Sequence, residues 1–384
     1  MKSVKIIRTS TVPGSLNTFC RGLLRELREK EGYEVVAVSS PGEQLDEIAA
    51  REGVRTHAVP MERHISPLKD LKSLFGLIRV FRREKPAMVH SMTPKAGLLS
   101  MIAAWICRVP IRLHTFTGLV FPTATGLTQK ILILTDCITC ACATHIVPEG
   151  EGVKNDLIKY CITKKPLKVL GHGNVRGIDL DLYNPALPEV QSEAEKLRSH
   201  GIFTFIFVGR LVRDKGINEL VRAFSQLNAQ YPHTRLLLVG PYEEDLDPLR
   251  PETVAAIDNN KAIMAIGSQK DVRPWLATSD AFVFPSYREG FPNVVIEAGA
   301  MGLPSIVTDI NGSREIIIDG DNGIIIPPRQ TETLRQAMEI FLTDKDMAQK
   351  LSRNARPLIA SRYEQSYVRR CLKEYYREIL NNIK

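Results

Sequence analysis

Apolar and polar positions in the first half of the chain follow two alternating periods. Continuous β-branched runs read VKIIRTS, YEVVAVSS, VRTHAVP, AMVHSM and IRLHTFT, and between them lie helical patterns such as TFCRGLLRELREK, LKDLKSLFGLIRVFRREK and KAGLLSMIAAWICR. Strands that alternate with helices predict a parallel sheet covered by helices on both faces. Because these strands are apolar throughout, rather than at every second position, the pattern indicates burial on both faces.

A Gly-rich stretch interrupts this alternation between Pro166 and Pro185. The alternation then restarts with FTFIFVGR, INELVRAFSQLNAQ, RLLLVG, AIMAIG, AFVFPS and PSIVTD, and with a helix from Asn293 to Met301. We therefore predict an α/β protein of two Rossmann-like, doubly wound domains, residues 1–175 and 176–364, which face each other across a cleft. Ligands usually bind in such a cleft, at the carboxyl ends of the strands.

Residues 365–384 form a separate predicted element at the end of the sequence. Tyr367, Cys371, Tyr375 and Ile379 recur at four-residue spacing, which predicts an amphipathic helix. We expect this helix to pack back on the N-terminal domain. A helix that lies in a membrane interface is the alternative.

The composition is that of a soluble globular protein. Of 384 residues, 44% are hydrophobic and 24% are charged, which excludes a disordered or collagen-like chain. Seven cysteines without a secretory signal indicate a reducing compartment, and the CxxC of Cys137 and Cys140 has no second pair that would complete a metal site. The apolar run from Lys130 to Val147 is interrupted by Asp136, so we do not expect it to cross a membrane.

The net charge of +8 is unevenly distributed along the sequence. Residues 1–175 hold 25 Lys and Arg against 15 Asp and Glu, whereas residues 176–384 hold 26 against 28. The excess favours an anionic partner for the first half, such as nucleic acid, phospholipid headgroups or a phosphorylated substrate, and a solvated basic face is the alternative. Because the sequence has no zinc finger and no RNP-type aromatic motif, we expect no nucleic acid partner. An anionic membrane surface stays open.

The most informative stretch is SYREGFPNVVIEAGAMGLP, in which Glu289 and Glu297 stand eight positions apart. Glu289 follows a predicted strand, and Glu297 lies about one turn inside a helix. The residues that lead into this helix are Gly290, Phe291, Pro292 and Asn293, with Pro292 expected in its first turn. At the start of this helix, free N–H groups and the helix dipole suit a phosphate. The two carboxylates suit hydroxyl groups: Glu297 can accept hydrogen bonds from ribose hydroxyls, and Glu289 from the hydroxyls of a sugar ring. Helix-terminal acids without a ligand are the alternative.

A second stretch, FVGRLVRDKG, also follows a predicted strand. Gly209 permits close backbone approach, and Arg210 and Lys215 share one strand-to-helix loop, where they suit a departing diphosphate. Loop cations are usually just solvated, but the two acids about 80 residues later favour a clamp. We find no Asp-x-Asp motif after a strand of the first half, because Asp179 and Asp181 lie in the linker, so we predict no metal.

Candidate residues of the first half lie where predicted strands end. RLHTFTG places His114 at the end of one strand, and HSMTPKAG places Lys95 just after another. A histidine there is more often structural, but the carboxyl edge of a sheet favours a role for His114. The loop TSTVPGSLNTF holds Gly14, Ser15 and Asn17, which we expect to approach a donor or acceptor phosphate. This loop is not GxGxxG, so a dinucleotide site has little support.

At these residues the chain resembles, over nearly its whole length, the family 4 glycosyltransferases, which are retaining enzymes of the GT-B fold that use nucleotide-diphosphate sugars. Glu289 and Glu297 match the family pattern of two Glu residues separated by seven positions. The stretch FVGRLVRDKG matches the family's phosphate clamp, and GNVRGIDLDLYNP is similar to the family's linker. The resemblance implies that Arg210 and Lys215 bind the diphosphate. It also implies that Glu297 binds the ribose, Glu289 the transferred sugar, and that His114 lies beside that sugar.

Two stretches, HSMTPKAGLL and RLHTFTGLVFP, look more narrowly like bacterial enzymes that build capsular or lipid-linked oligosaccharides on undecaprenyl diphosphate. The chain departs from the family at two places. Pro13, Gly14 and Ser15 stand where many members have a Gly-Gly pair, and Arg176 lengthens the linker.

The sequence thus predicts a retaining, metal-independent glycosyltransferase without a cofactor. We expect it to move a hexose or N-acetylhexosamine from a nucleotide sugar, with UDP favoured by the subgroup, to a lipid-linked saccharide acceptor. The first domain would bind the acceptor and an anionic membrane surface, and the second would bind the nucleotide sugar. We expect a cytoplasmic protein, peripheral on the inner face of the cytoplasmic membrane. A UDP-sugar 2-epimerase and a non-catalytic basic binding module are the alternatives.

Overall fold

The computed structural model describes residues 3–62, 66–243 and 247–382. The chain divides into two compact units: unit 1 comprises Met1–Gly177 and Ser366–Lys384, and unit 2 comprises Ile178–Gln365. The first division falls two residues beyond the predicted boundary at residue 175, and the last helix is part of unit 1. The Gly-rich stretch of the sequence forms the loop in which unit 1 passes into unit 2.

Unit 1 contains a parallel sheet of six strands in the order β3-β2-β1-β4-β5-β6. The strands are β1 (Lys5–Thr9), β2 (Glu34–Ser39), β3 (Arg55–Ala58), β4 (Met88–Met92), β5 (Ile111–Phe116) and β6 (His145–Pro148). The order reverses between β1 and β4, the switch point of a doubly wound sheet.

Helices cover both faces of this sheet. One face carries α1 (Pro13–Cys20), α2 (Leu23–Glu29), α3 (Glu43–Glu52) and the last helix, α16 (Gln365–Asn381); the other carries α4 (Pro67–Glu84), α5 (Pro94–Ile106), α6 (Gly126–Cys142) and α7 (Glu151–Lys159). Each layer buries its own apolar cluster against the sheet. The edge strand β3 is the exception, because its residues Arg55–Ala58 are exposed or half-buried, so the predicted burial on both faces is wrong for this strand.

Unit 2 repeats this architecture with a parallel sheet in the order β12-β11-β10-β7-β8-β9. Its strands are β7 (Phe203–Val208), β8 (Thr234–Val239), β9 (Ile263–Gly267), β10 (Ala281–Phe284), β11 (Ser305–Thr308) and β12 (Gly323–Ile326). Its helices are α8 (Pro188–Leu197), α9 (Ile217–Gln230), α10 (Pro251–Asn259), α11 (Arg273–Ala277), α12 (Asn293–Ala300), α13 (Ser313–Ile316), α14 (Thr331–Thr343) and α15 (Lys345–Tyr363). Two such sheets confirm the predicted α/β class with two Rossmann-like domains.

The first predicted helix, TFCRGLLRELREK, is wrong as a single element. Two helices, α1 and α2, replace it, and Gly22 lies between them with a φ of 75°. A Cβ atom at Gly22 would lie 3.1 Å from the guanidinium of Arg369 on α16, and this guanidinium donates to the Arg21 carbonyl. The helix therefore breaks where the C-terminal helix packs closely against the backbone.

In the described ranges, every helix is too short or too polar to traverse a lipid bilayer. All seven cysteines are free thiols. Among the described residues, no group of three or more His, Cys, Asp and Glu side chains is arranged to hold a metal ion.

Candidate active site

The two sequence motifs of the second half lie side by side in unit 2. Strands β7 and β10 pair in parallel, and the strand order of the sheet reverses between them. Gly209 and Arg210 follow β7, and the loop that contains Glu289 follows β10. Open parallel sheets bind ligands at the carboxyl ends of their strands at such a switch point. Topology therefore brings together residues that the sequence separates by about 80 positions.

Backbone contacts hold these two loops against each other. Gly216 has a φ of 73°, and a Cβ atom there would collide with the carbonyl oxygen of Pro285. The amide of Tyr287 donates to the carbonyl of Asp214 over 2.8 Å, and the Arg288 guanidinium lies 3.2 Å from the Asp214 carboxylate. The loop after β7 and the loop after β10 thus form one connected surface.

Lys215 and Glu289 form an ion pair at the centre of this surface. The Lys215 ammonium donates to Oε1 of Glu289, and the Ser286 hydroxyl donates to the same oxygen over 3.1 Å. The two charged side chains are 15% and 18% exposed, and the ammonium lies 5.7 Å from the centroid of the Phe284 ring. The predicted phosphate-binding cation is therefore engaged by the predicted sugar-binding carboxylate, and an anionic ligand of Lys215 would compete with Glu289.

Arg210 is also paired, with a residue that sequence reasoning missed. Its guanidinium donates to the carboxylate of Glu243, which follows β8. Arg213 pairs with Asp247 in the same way, over 2.8 Å. Both carboxylates come from the loop after β8. The cations of the motif FVGRLVRDKG are therefore paired with acidic residues that the motif itself does not reveal.

Glu297 lies inside α12, as predicted. It is 8% exposed, and the helix that carries it begins at Asn293. Pro292 is the residue before the helix, with a ψ of 99°, so its expected place in the first helical turn is wrong. Phe291 is buried edge-on against Tyr363, with ring centroids 5.6 Å apart, which anchors the start of the helix.

The backbone of Gly290, in the same loop, lies close to Gly312 in the loop after β11. A Cβ atom at Gly312, whose φ is 73°, would collide with the backbone of Gly290 and Phe291. The loop after β11 therefore packs directly on the chain between Glu289 and α12. Only a glycine at position 312 allows this contact.

A glycine lies at the end of three adjacent strands of unit 2 or directly after it, and the sequence analysis identifies one of these glycines as a candidate. Gly209, Gly240 and Gly267 close β7, β8 and β9, with φ values of 152°, 145° and 66°. A Cβ atom at Gly240 would collide with the carbonyl oxygen of Gly209. The sequence does contain a pattern that predicts all three glycines, because VGR, VGP and IGS each have an apolar residue and a glycine followed by a turn. These glycines leave the edge of the sheet free of side chains next to the Arg210 loop.

His114 lies in unit 1, in a different position from the one predicted. It is the fourth of six residues in β5 and is fully buried, so its expected place at the strand end is wrong. Its Nδ1 lies 2.8 Å from the Ser91 hydroxyl, and its ring meets Phe116 edge-on at 4.5 Å. Burial lowers the pKa of His114 to about 3, so its imidazole is neutral at neutral pH.

The glycine of α5 makes room for this histidine. A Cβ atom at Gly97 would collide with Cε1 of His114, so a larger residue at this position would displace the ring. The sequence KAGLL does not reveal this requirement, because a glycine inside a helix, although it costs about 1 kcal/mol relative to alanine, does not indicate which side chain needs the space.

The residues predicted on a phosphate loop of unit 1 are helical, so this prediction is wrong about the loop. Helix α1 begins at Pro13, whose fixed φ suits a first helical position, and Gly14, Ser15 and Asn17 lie in its first two turns. Lys95 is the second residue of α5, and its ammonium pairs with the Asp70 carboxylate over 2.7 Å.

A buried polar network lies next to His114 in unit 1. The guanidinium of Arg8 is fully buried and lies 2.5 Å from Nδ1 of His90 and 2.5 Å from the Tyr376 hydroxyl of α16. Nε2 of His90 lies 2.7 Å from the hydroxyl of Thr115. Burial, followed by the charge of Arg8, holds the pKa of His90 well below its usual range. The network therefore holds a single positive charge, on Arg8.

Comparison with known proteins agrees with this architecture. The family model for glycosyl transferases group 1 matches residues 191–357, and that for the glycosyl transferase 4-like domain matches residues 14–158. The chain is 31% identical over 381 residues to the capsular polysaccharide biosynthesis glycosyltransferase CapM of Staphylococcus aureus, covering 99% of this chain and 98% of the relative.

Two further similarities cover most of the chain. It is 29% identical to the UDP-Gal:alpha-D-GlcNAc-diphosphoundecaprenol alpha-1,3-galactosyltransferase of Escherichia coli, over 81% of this chain and 80% of that protein. The crystal structure of a glycosyltransferase from Rickettsia africae ESF-5 superimposes with a TM-score of 0.78 at 21% identity, over 100% of both chains. The fold is therefore GT-B, and the chain belongs to the group 1 glycosyltransferases of family 4.

Proposed function

We propose that this glycosyltransferase moves a hexose or N-acetylhexosamine from a UDP-sugar to a saccharide linked to undecaprenyl diphosphate, with retention of the anomeric configuration. The names of the Staphylococcus aureus and Escherichia coli relatives support a role in capsule or surface polysaccharide synthesis. The observation that carries the proposal is the Lys215–Glu289 pair at the switch point of unit 2.

The Lys215–Glu289 pair suits a nucleotide-diphosphate sugar because such a ligand offers anionic oxygens to Lys215 and hydroxyl groups to Glu289. Diphosphate oxygens would bind Lys215 and Arg210 in place of Glu289 and Glu243, and the released Glu289 would accept hydrogen bonds from hydroxyls of the sugar. We assign Glu297 to the ribose hydroxyls. The loop cations would then stabilise the negative charge that develops on the leaving diphosphate.

His114 is a neutral group in this proposal. A buried imidazole with a pKa of about 3 carries no charge at neutral pH, so it would contact the transferred sugar by hydrogen bonding and packing. The sequence offers no obvious second carboxylate in the first half as a covalent nucleophile. We therefore favour attack from the face of the departing diphosphate, with its oxygen as the base, over a double displacement.

Thermal shift measurements test the donor site. UDP at about 100 times its Kd should stabilise the wild type by roughly 2.7 kcal/mol, with smaller shifts from GDP and ADP. Glu297→Ala should abolish the UDP shift, whereas Glu252→Ala, an exposed acid on α10, should retain it. Absence of a shift with all three nucleotides, or an unchanged shift in Glu297→Ala, contradicts the assigned site.

Metal independence belongs to the same proposal, because Arg210 and Lys215 supply the positive charge that a divalent cation would otherwise bring to the diphosphate. Turnover should persist in excess EDTA. Loss of turnover in EDTA that added Mn²⁺ or Mg²⁺ restores would contradict this part of the proposal.

Transfer and epimerisation are separated by their products. The wild type with a UDP-sugar and an undecaprenyl-diphosphate-linked saccharide should yield a longer glycolipid and UDP. NMR of the donor alone should show no change at C2. Epimerised donor without an acceptor would favour the 2-epimerase, which family membership opposes.

The acceptor also implies a membrane surface, and unit 1 has a face that suits one. Helices α4, α5 and α6 form the layer on one side of its sheet, and large apolar side chains protrude from them: Leu68, Leu71, Phe75, Trp105, Ile106, Leu127, Ile131, Leu134 and Ile138. Exposed cations accompany them on the same helices, among them Lys72, Arg79, Arg82, Arg83 and Lys130. Apolar insertion with basic residues nearby is typical of proteins that bind anionic bilayers, where each cation contributes roughly 1 kcal/mol.

Vesicle sedimentation tests this surface. The wild type should bind vesicles of phosphatidylglycerol and phosphatidylcholine more strongly than phosphatidylcholine alone, and added salt should weaken the binding. Replacement of Leu68, Leu71 and Phe75 by Ser should release the protein. The matched replacement of Leu182, Ile202 and Tyr242, exposed apolar residues of unit 2, should not. Equal release by both triple variants contradicts the assignment to unit 1.

A further inference from the structure

A small recess opens beside His114, within unit 1. It is lined by the start of α5, the end of β5 with the loop that follows, and the inner side of α6. Its residues include Thr93, His114, Phe116, Phe121, Thr135 and Asp136. The cavity volume is about 20 Å³, enough for one water molecule or one hydroxyl group.

Among the described residues that line this recess, only Asp136 is charged. It lies on α6 one turn after Leu132, which also faces the recess, and among the residues that the structure describes its carboxyl group has neither a hydrogen bond nor an ion pair. Burial raises the pKa of Asp136 to about 7. A carboxyl group that lacks a cation in a half-buried position costs stability, and such a cost is commonly retained where the group has a function.

The lining of the recess also includes a residue with backbone strain. Thr93 has a φ of 69°, an unfavourable value for a β-branched residue. Its hydroxyl lies 2.9 Å from the hydroxyl of Thr11 and accepts from the Thr11 amide over 3.2 Å, and the Thr11 hydroxyl accepts from the amide of Ala96. These bonds fix Thr93 in a conformation it would not adopt alone, a pattern that clusters at ligand sites.

The imidazole completes the polar lining. Nδ1 of His114 is occupied by Ser91, and burial keeps the ring neutral. The recess therefore offers a neutral imidazole and a carboxyl group, with the Phe116 and Phe121 rings beside them. An anion does not suit it, because the carboxyl group would repel a phosphate and the volume is too small for one. A neutral hydroxyl suits both the size and the chemistry.

We propose that this recess, the Asp136 recess, receives one exocyclic hydroxyl group of a neutral sugar, which Asp136 binds by a hydrogen bond, and that it thereby selects among sugars. The inference rests on the proposed function, since it concerns a substrate of that reaction. The hydroxyl belongs either to the transferred sugar of the donor or to the terminal sugar of the acceptor. The chemistry is the same in both cases, and the experiment separates them.

The test compares Asp136→Asn and Asp136→Leu with Asp46→Asn, an exposed acid of α3 in the same unit. Each variant is assayed with the parent donor and acceptor and with analogues that lack one hydroxyl at a time. A site built around a hydroxyl group rejects an analogue that lacks it. In the wild type, one deoxy analogue should lose about 10-fold or more in kcat/KM, and Asp136→Leu should abolish this discrimination. The control should keep it.

The position of the critical analogue identifies the source of the hydroxyl. A deoxy donor that loses its disadvantage in Asp136→Leu assigns the recess to the transferred sugar, and a deoxy acceptor assigns it to the acceptor. Unchanged discrimination against every analogue overturns the proposal and means that the recess holds only water.

Two controls separate the recess from the proposed function. The UDP thermal shift should be equal in the wild type and in Asp136→Leu, because UDP lacks the transferred sugar. Urea unfolding followed by Trp105 fluorescence, in a Trp275→Phe background, shows that unit 1 of the variant folds. If the wild type itself neither binds UDP nor transfers a sugar, the proposed function fails and the recess proposal fails with it. If the wild type transfers while the variants discriminate as it does, only the recess proposal fails.

Discussion

The two units place different electrostatics at the carboxyl edges of similar sheets. In unit 2 the charges are paired: Lys215 with Glu289, Arg210 with Glu243, and Arg213 with Asp247. In unit 1, burial shifts two ionisable side chains near β5 toward their neutral forms, with the pKa of His114 lowered and that of Asp136 raised.

This difference indicates which part of a substrate each unit can accept. Ion pairs near the surface can exchange partners, so unit 2 can take up a charged group without leaving a charge unpaired. A partly dehydrated recess whose only charged group is a carboxyl penalises an anionic ligand and favours a hydroxyl. A nucleotide-diphosphate sugar and a saccharide acceptor contain both kinds of group. The predictions below test each side of the comparison, beginning with the largest expected effect.

Removing the central cation of unit 2 should have the largest effect. Lys215→Met leaves Glu289 without its cationic partner and, under the proposed function, removes a cation that binds the diphosphate, so we expect turnover to fall by about 100- to 1,000-fold. Lys261→Met, at an exposed position of the same unit, is the control. A fall of less than about 10-fold would show that the paired charges of unit 2 do not serve the reaction.

Acid should destabilise unit 1 through His114. Its pKa is about 3 in the folded chain and about 6.5 in the unfolded chain, so the unfolded chain binds the extra proton as the pH falls from 6.5 toward 3. The stabilisation from the neutral imidazole is complete above pH 6.5, and its loss amounts to at most about 1.4 kcal/mol for each pH unit. His114→Gln should reduce this acid dependence, whereas the exposed His172→Gln should not.

The measurement uses the two tryptophans of the chain, one in each unit. In a Trp275→Phe background, urea unfolding followed by Trp105 fluorescence reports on unit 1. In a Trp105→Phe background, Trp275 reports on unit 2. An acid dependence of unit 1 that is equally steep with and without His114 would contradict the prediction.

Removing one hydroxyl from the C-terminal helix should have a moderate effect on unit 1. Tyr376→Phe removes the acceptor 2.5 Å from the buried guanidinium of Arg8, which leaves an N–H group unpaired. The expected loss in the free energy of unfolding is about 1–3 kcal/mol. Tyr160→Phe, after α7, should cost less than about 0.5 kcal/mol. Equal costs for the two variants in urea unfolding would show that the network contributes no specific stability.

Asp136 should give a pH dependence opposite to that of His114. The pKa of Asp136 is about 7 in the folded chain and about 3.8 in the unfolded chain, so between these pH values the folded chain binds the proton and the unfolded chain does not. The free energy of unfolding therefore falls as the pH rises from 4 to 7. The ionisable groups near Asp136 are His114, across the recess, and Cys137 and Cys140 on α6. Asp136→Asn should remove this contribution in urea titrations of unit 1. No difference between the two proteins over this range would contradict it.

Both sheets were predictable from the sequence because strands buried on both faces must be apolar throughout. The grouping of Arg210 and Lys215 with Glu289 was predictable as well, since carboxyl ends of parallel strands share one edge of a sheet. The ion pair itself was not. Lys215 and Glu289 lie 74 positions apart, and their contact depends on the backbone approach at Gly216.

The errors in unit 1 have a local origin. The pattern TSTVPGSLN predicts a loop at Pro13 because it contains turn residues, but proline also suits the first position of a helix, which is where it lies. In the sequence, Asp136 indicates only an interruption of an apolar run. A single carboxylate within an apolar helix is also the signal of a buried polar site, and one sequence without its fold does not distinguish the two.

The connection of α16 to unit 1 has a consequence for synthesis on the ribosome. At about 5–20 residues per second, the 188 residues of unit 2 (178–365) take about 10–40 s to translate, and α16 follows them. During that time the nascent N-terminal sheet lacks the helix that covers Leu24, Leu27 and Ile6, and Arg8 lacks its phenol partner. Of the two units, unit 1 is thus begun before unit 2 and completed after it, so a ribosome that stalls within unit 2 leaves an apolar face open to chaperones and proteases.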